Sequence, residues 1–157
     1  MRDPSRIVLL APLVFALHVA EEAPGFVAWF NARVEPDITP RLFASVNMTA
    51  LFITLAVAAL AAGLRDRASI LLAFGWLALL FLANGVFHIV ATLAQGRYAP
   101  GAASAALLYL PYFAWLFEAV ARRFAMARGL LAAGAIAAGI PMFAHGALIV
   151  FFGTRLF

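Results

Sequence analysis

Cysteine and lysine are both missing from this chain of 157 residues, and all eleven of its positive charges are arginine. Without cysteine there is no disulfide, no thiol nucleophile and no thiolate metal ligand. Without lysine there is no Schiff-base chemistry. Charge of either sign is scarce: 11% of the residues are charged, where a soluble domain averages about 25%. Hydrophobic residues make up 66%, and the mean hydropathy is +1.02. The two-residue alternation of a β-barrel is absent too. The net charge of +4 comes from arginines scattered between apolar blocks. They mark topology and headgroup contacts and do not form a nucleic-acid surface.

What is present is five apolar runs, at 7–30, 42–64, 69–94, 101–120 and 129–152. A bilayer crossing needs about 20 residues, and backbone satisfaction in lipid favours helices. The expected fold is all-α: a polytopic membrane bundle of five transmembrane helices, with residues 1–157 as one domain. Thr39 before Pro40 predicts an N-cap opening the second helix. Pro111 and Pro141 are expected to bend the fourth and fifth. The fifth, dense in glycine and alanine, suits close helix packing. Arg2, Arg6 and the run from Ile7 to Leu17 resemble a signal peptide. However, His18 stands where a cut after Ala20 would need a small residue, so a retained helix is expected.

Five crossings put Arg2, Arg6, Arg65, Arg67, Arg122, Arg123 and Arg128 on one side, and Arg33, Arg41, Arg97 and Arg155 on the other. The positive-inside rule then predicts a cytoplasmic N-terminus and an outside C-terminus in a bacterial-type inner (plasma) membrane.

The polar residues are not scattered. All three histidines, His18, His88 and His145, fall inside apolar runs, together with Glu21, Glu22, Asn47 and Asn84. His18 and Glu22 are four apart, as are Asn84 and His88, so each pair shares a helix face, with Glu21 close to that of the first pair. At about 1.5 Å per residue from the cytoplasmic helix ends, His18 stands at roughly 16 Å, Asn84 at roughly 21 Å, and Glu22 and His145 at roughly 22 Å. Asn47 follows at roughly 25 Å and His88 at roughly 27 Å. Four helices thus bring polar groups to one level. A charge at mid-bilayer costs at least about 2.5–3.5 kcal/mol, so such groups turn inward and pair. Imidazole with carboxylate suits zinc or iron(II). The blander reading of a lone membrane histidine or asparagine is an interhelical hydrogen bond. Glu118, with Arg122 four residues on, reads as a local ion pair. Tyr109 and Tyr112 read as packing or pocket lining, and the aromatics at 29–30 and 151–152 as interfacial.

The stretches "HVAEE" at 18–22, "NGVFH" at 84–88 and "RYAPG" at 97–101 resemble the HXXEE-domain family of small integral membrane proteins. By position, His18, Glu21 and Glu22 match the naming motif, and Asn84 and His88 the second. Tyr98, Pro100 and Gly101 match the third, and His145 a late histidine. The resemblance implies an enzymatic role for these polar motifs and names no reaction.

The leading expectation is a metal-dependent hydrolase acting on a lipid or other apolar substrate that enters between helices. His18, His88, His145 and one glutamate, Glu22 or Glu21, would ligate a divalent ion, zinc before iron. The other glutamate would act as general base on a water the ion activates. Asn47, Asn84 and Tyr98 would orient ligands or substrate. A di-iron site is disfavoured, because only two carboxylates lie at the right level. Two alternatives use the same residues. One is metal-free acid–base chemistry, isomerase-like, on a sterol- or isoprenoid-like molecule. The other is a small proton- or cation-coupled transporter or binding protein, although no internal repeat is visible.

Overall fold

The computed structural model describes residues 3–155. Six helices follow in order: α1 (Pro4–Glu22), α2 (Phe26–Asn31), α3 (Pro40–Leu64), α4 (Arg67–Gln95), α5 (Ala102–Arg123) and α6 (Arg128–Phe152). All but the short α2 are long and apolar enough to cross a membrane. Among the described residues there is no strand, only an isolated parallel bridge between Glu35 and Thr154.

The first apolar run departs most from expectation. A single helix over 7–30 is replaced by α1, a turn and α2. Pro24 offers no N–H and its ring opposes the carbonyl four residues back, so α1 stops at Glu22. The pieces pack as one with the bundle: Tyr112 on α5 donates a hydrogen bond to the Ile7 carbonyl at 2.7 Å. Trp29 and Phe30, expected at the interface, are instead buried beside Phe87, Ala91 and Ile149. Phe151 and Phe152 are exposed, as an interfacial pair should be.

The helix starts follow side-chain chemistry. Leu42 N–H donates to Thr39 Oγ1 at 3.1 Å, the expected cap, with Pro40 in the first turn. Ser69 N–H donates to Asp66 Oδ1 at 2.7 Å, capping α4. These Ser69 hydrogen bonds hold the exposed Asp66 carboxyl below its usual range.

α4 is the central helix and α3 the most peripheral: half of the most apolar stretch of α4 is buried, against 11% for α3. The outward residues of α3, such as Val46, Phe52 and Leu64, are apolar, as a lipid-facing helix requires. α6 lies close against α4, where a Cβ on Gly146 would come within 2.9 Å of the Phe87 ring. Three stretches wind as π-turns: Ala78–Ala83 in α4, Ala105–Tyr109 in α5 and Leu148–Phe152 in α6. The second directly precedes Pro111 and accommodates the N–H that proline lacks. Pro141 is carried inside α6 without ending it.

Candidate metal centre at the end of α1

His18 and Glu22 lie one turn apart on the inward face of α1, and both are buried. α4 delivers Asn84 and His88 to the same place. The π-turn at Ala78–Ala83 holds one extra residue, so it rotates the rest of α4 by about a quarter turn relative to a regular helix. Glu22 Oε1 stands 3.1 Å from His88 Nε2 and 3.5 Å from His18 Nε2. The two imidazoles meet edge to face with centroids 4.8 Å apart. A ligand-type atom from each of His18, Glu22 and His88 lies within 4.8 Å of the others. Bonds of about 2.0–2.1 Å to a tetrahedral ion put ligand atoms about 3.3 Å apart, so both distances to Glu22 fit.

Supporting contacts orient His18. Its Nδ1 lies 2.7 Å from Ser104 Oγ, and that hydroxyl donates to the Gly101 carbonyl at 3.2 Å. The Ser104 hydroxyl thus anchors Nδ1 and fixes the ring orientation. Nε2 faces Glu22 and, at 3.4 Å, Asn84 Nδ2. On its other side the His18 ring stacks on Tyr109 at 4.1 Å, and Tyr109 stacks on Phe81 at 4.2 Å. Tyr109 is thus packing that fixes a site residue. His88 is wired differently. Its Nδ1 is buried without a hydrogen-bond partner among the described residues.

Gly101 closes the floor. Its φ of +99° belongs to the left-handed region, and a Cβ there would come within 2.7–2.8 Å of both imidazoles. Only glycine lets the chain pass so close to the two rings.

The structure reassigns Glu21. Successive residues on a helix point about 100° apart, so Glu21 does not share the face of Glu22. Its carboxylate instead caps α5. It accepts from Gly101 N–H and Ala103 N–H at 3.1 Å and from Ser104 N–H at 2.7 Å. The Tyr98 hydroxyl also donates to it. A negative charge on a helix N-terminus is favourable, and these four donors hold Glu21 at the start of α5, away from the cluster. Tyr98 is corrected with it, from an orienting or substrate group to a tether for Glu21. Burial, then the neighbouring carboxylate, push its phenol above the usual value, so it remains a protonated donor.

His145 stands apart from these groups. It sits half-buried on α6 and lines a cavity shared with Glu22, outside the three-residue cluster. Asn47 donates to the carbonyl of Phe43 on its own helix at 3.0 Å and lines the same cavity. Glu118 pairs with Arg122 Nε at 3.3 Å as expected, and also with Arg128 Nε at 2.9 Å. Sequence reasoning missed Ser104, whose hydroxyl caps no helix and meets His18 only when α1 and α5 pack.

The shared cavity measures about 240 Å³, and its wall is largely apolar, with Phe15, Phe26 and Ile149 among its residues. It lies beside a groove of about 750 Å³ between α1 and α3, and Phe15, Phe43 and Asn47 border both.

A family model described as a protein of unknown function with HXXEE motif matches residues 9–116. The chain belongs to the HXXEE family. The matched HXXEE region carries His18, Glu22, Asn84, His88, Gly101 and Ser104, and it ends before α6 and His145. No curated protein and no solved structure matches the chain.

Proposed function

We propose that this HXXEE protein is an intramembrane enzyme that hydrolyses a lipid or other apolar substrate with a divalent ion, zinc in preference to iron. His18, Glu22 and His88 would hold the ion, which supplies Lewis acidity toward an oxygen of water or substrate. The observation that carries this reading is the buried convergence of two imidazole nitrogens on Glu22, the carboxylate that lines a largely apolar cavity. A carboxylate oxygen 3.5 Å from His18 Nε2 and 3.1 Å from His88 Nε2 calls for a proton or a cation between them. With Glu21 committed to α5, Glu22 is the carboxyl that reaches the cavity, one oxygen toward the imidazoles and the other left to take or return a proton. Asn84 and Ser104 hold the His18 ring. The groove between α1 and α3 offers a lipid-side approach.

The arginine distribution supports a cytoplasmic N-terminus in a bacterial-type inner membrane, with the site toward the opposite face. Elemental analysis of protein purified in detergent tests the reading. One ion per chain is expected in wild type, and none in His88→Ala. Negligible metal in both would overturn it.

One observation favours metal-free acid–base chemistry as the second reading. A metal-bound histidine usually donates its other N–H to an acceptor, whereas His88 Nδ1 has none among the described residues. In that reading His88 Nε2–H donates to Glu22, and the pair shuttles a proton on the substrate.

A further inference from the structure

The cavity that Glu22 lines is also lined by Arg155. The chain reaches that position by turning back on itself. Gly153 ends α6 with φ +63°, a left-handed conformation that favours glycine. Thr154 N–H closes the turn on the Leu148 carbonyl at 3.3 Å. Glu35 N–H donates to the Gly153 carbonyl at 3.0 Å, tying the tail to the loop between α2 and α3. A Cβ on Gly153 would come within 2.9 Å of the Arg33 carbonyl, so this junction is tight.

An arginine at the end of a membrane helix ordinarily extends its head to water. In Arg155 the Nε is buried with no hydrogen-bond partner among the described residues. Nor does an ion pair join it to an acid among them. The one acidic residue of the cavity wall, Glu22, is engaged by His18 and His88. His145, a second nitrogen-bearing side chain, lines the same wall and lies near enough to feel the Arg155 charge. Among the described residues no acid pairs with Arg155 in this largely apolar cavity, and a guanidinium binds carboxylate or phosphate through paired N–H donors.

We propose that the cavity binds an anionic single-chain amphiphile, its headgroup on Arg155 beside His145 and its hydrocarbon chain along the apolar wall. The volume of about 240 Å³ falls below the roughly 300–1,000 Å³ of ordinary small-molecule sites, which favours a chain over a fused ring system. This names the substrate class of the site proposed above and rests on that reading for its catalytic meaning. The binding itself does not.

The test compares dodecanoate, dodecyl phosphate and dodecanol as competitors of a fluorescent fatty acid on detergent-purified protein. The protein is first treated with chelator, so that no ion can hold the headgroup. Wild type is expected to bind an anion at least tenfold more tightly than the alcohol, and the tighter anion names the headgroup. Arg155→Gln should bring anion and alcohol within twofold, while Arg155→Lys keeps a preference. Equal binding of anions and alcohol by wild type would overturn the proposal without needing any variant. A preference undiminished in Arg155→Gln would overturn it as well. Because the measurement uses neither ion nor turnover, failure of the anion site and failure of the metal reading are separately visible.

Discussion

Glu21 and Glu22 are adjacent in the chain and end the same helix, yet they organise two different regions. Glu21 faces the start of α5, where backbone N–H groups and the Tyr98 hydroxyl satisfy it. Glu22 faces two imidazoles in a pocket with no backbone donor on it. The first carboxylate is satisfied by the fold and adds to its stability. The second is buried against groups that only partly balance its charge, an arrangement that fits ligand or proton chemistry better than stability. Gly101 joins the regions, since its N–H serves Glu21 while its Cα packs against His18 and His88.

The largest expected effect is at that junction. Gly101→Ala forces a Cβ into both rings and strains a left-handed φ. It should cost on the order of 3 kcal/mol, read as a large fall in melting temperature in detergent together with loss of bound metal.

The two glutamates should then separate. Glu21→Gln weakens charge-assisted hydrogen bonds and should lower stability by about 1–2 kcal/mol while metal content persists. Glu22→Gln removes a buried charge: with both proteins treated with chelator it should change stability by less than about 1 kcal/mol, and in untreated protein metal is lost together with the stability that metal confers. The reverse pattern in melting curves and elemental analysis would break the comparison.

A smaller effect is expected at Ser104→Ala, which frees the His18 ring. Metal affinity should fall roughly 10–100-fold, as when other supporting partners of ligands are removed, and competition with a chelator of known affinity measures it. Glu118→Gln is the control. This carboxylate pairs with Arg122 and Arg128 at an exposed position, and exposed pairs contribute little, so neither melting temperature nor metal content should change measurably.

The five long helices were legible because each apolar run holds enough residues to cross a bilayer, whatever it packs against. The pairing of His18 with Glu22 was legible because four residues make one helical turn. Asn84 and His88 followed from the same spacing. Counting residues along an axis gives height but not azimuth, and this is why His145 stood at the right level yet outside the cluster. Glu21 was misread for a related reason. Its partners are backbone donors at the start of α5, which become neighbours only when α1 and α5 pack, and no side-chain pattern announces them. The same holds for Ser104, whose hydroxyl matters because the turn at Gly101 brings it to His18. The break after Glu22 was visible as Pro24–Gly25, and the continuing apolar character of 26–30 masked it.

The central claim is that one carboxylate, Glu22, contacts both His18 and His88 and not His145. Imidazole ¹⁵N chemical shifts of the three histidines, compared between wild type and Glu22→Gln, test it most directly. The Nε2 resonances of His18 and His88 are expected to move together while those of His145 stay in place. A shift at only one of the first two, or an equal shift at His145, would contradict the account.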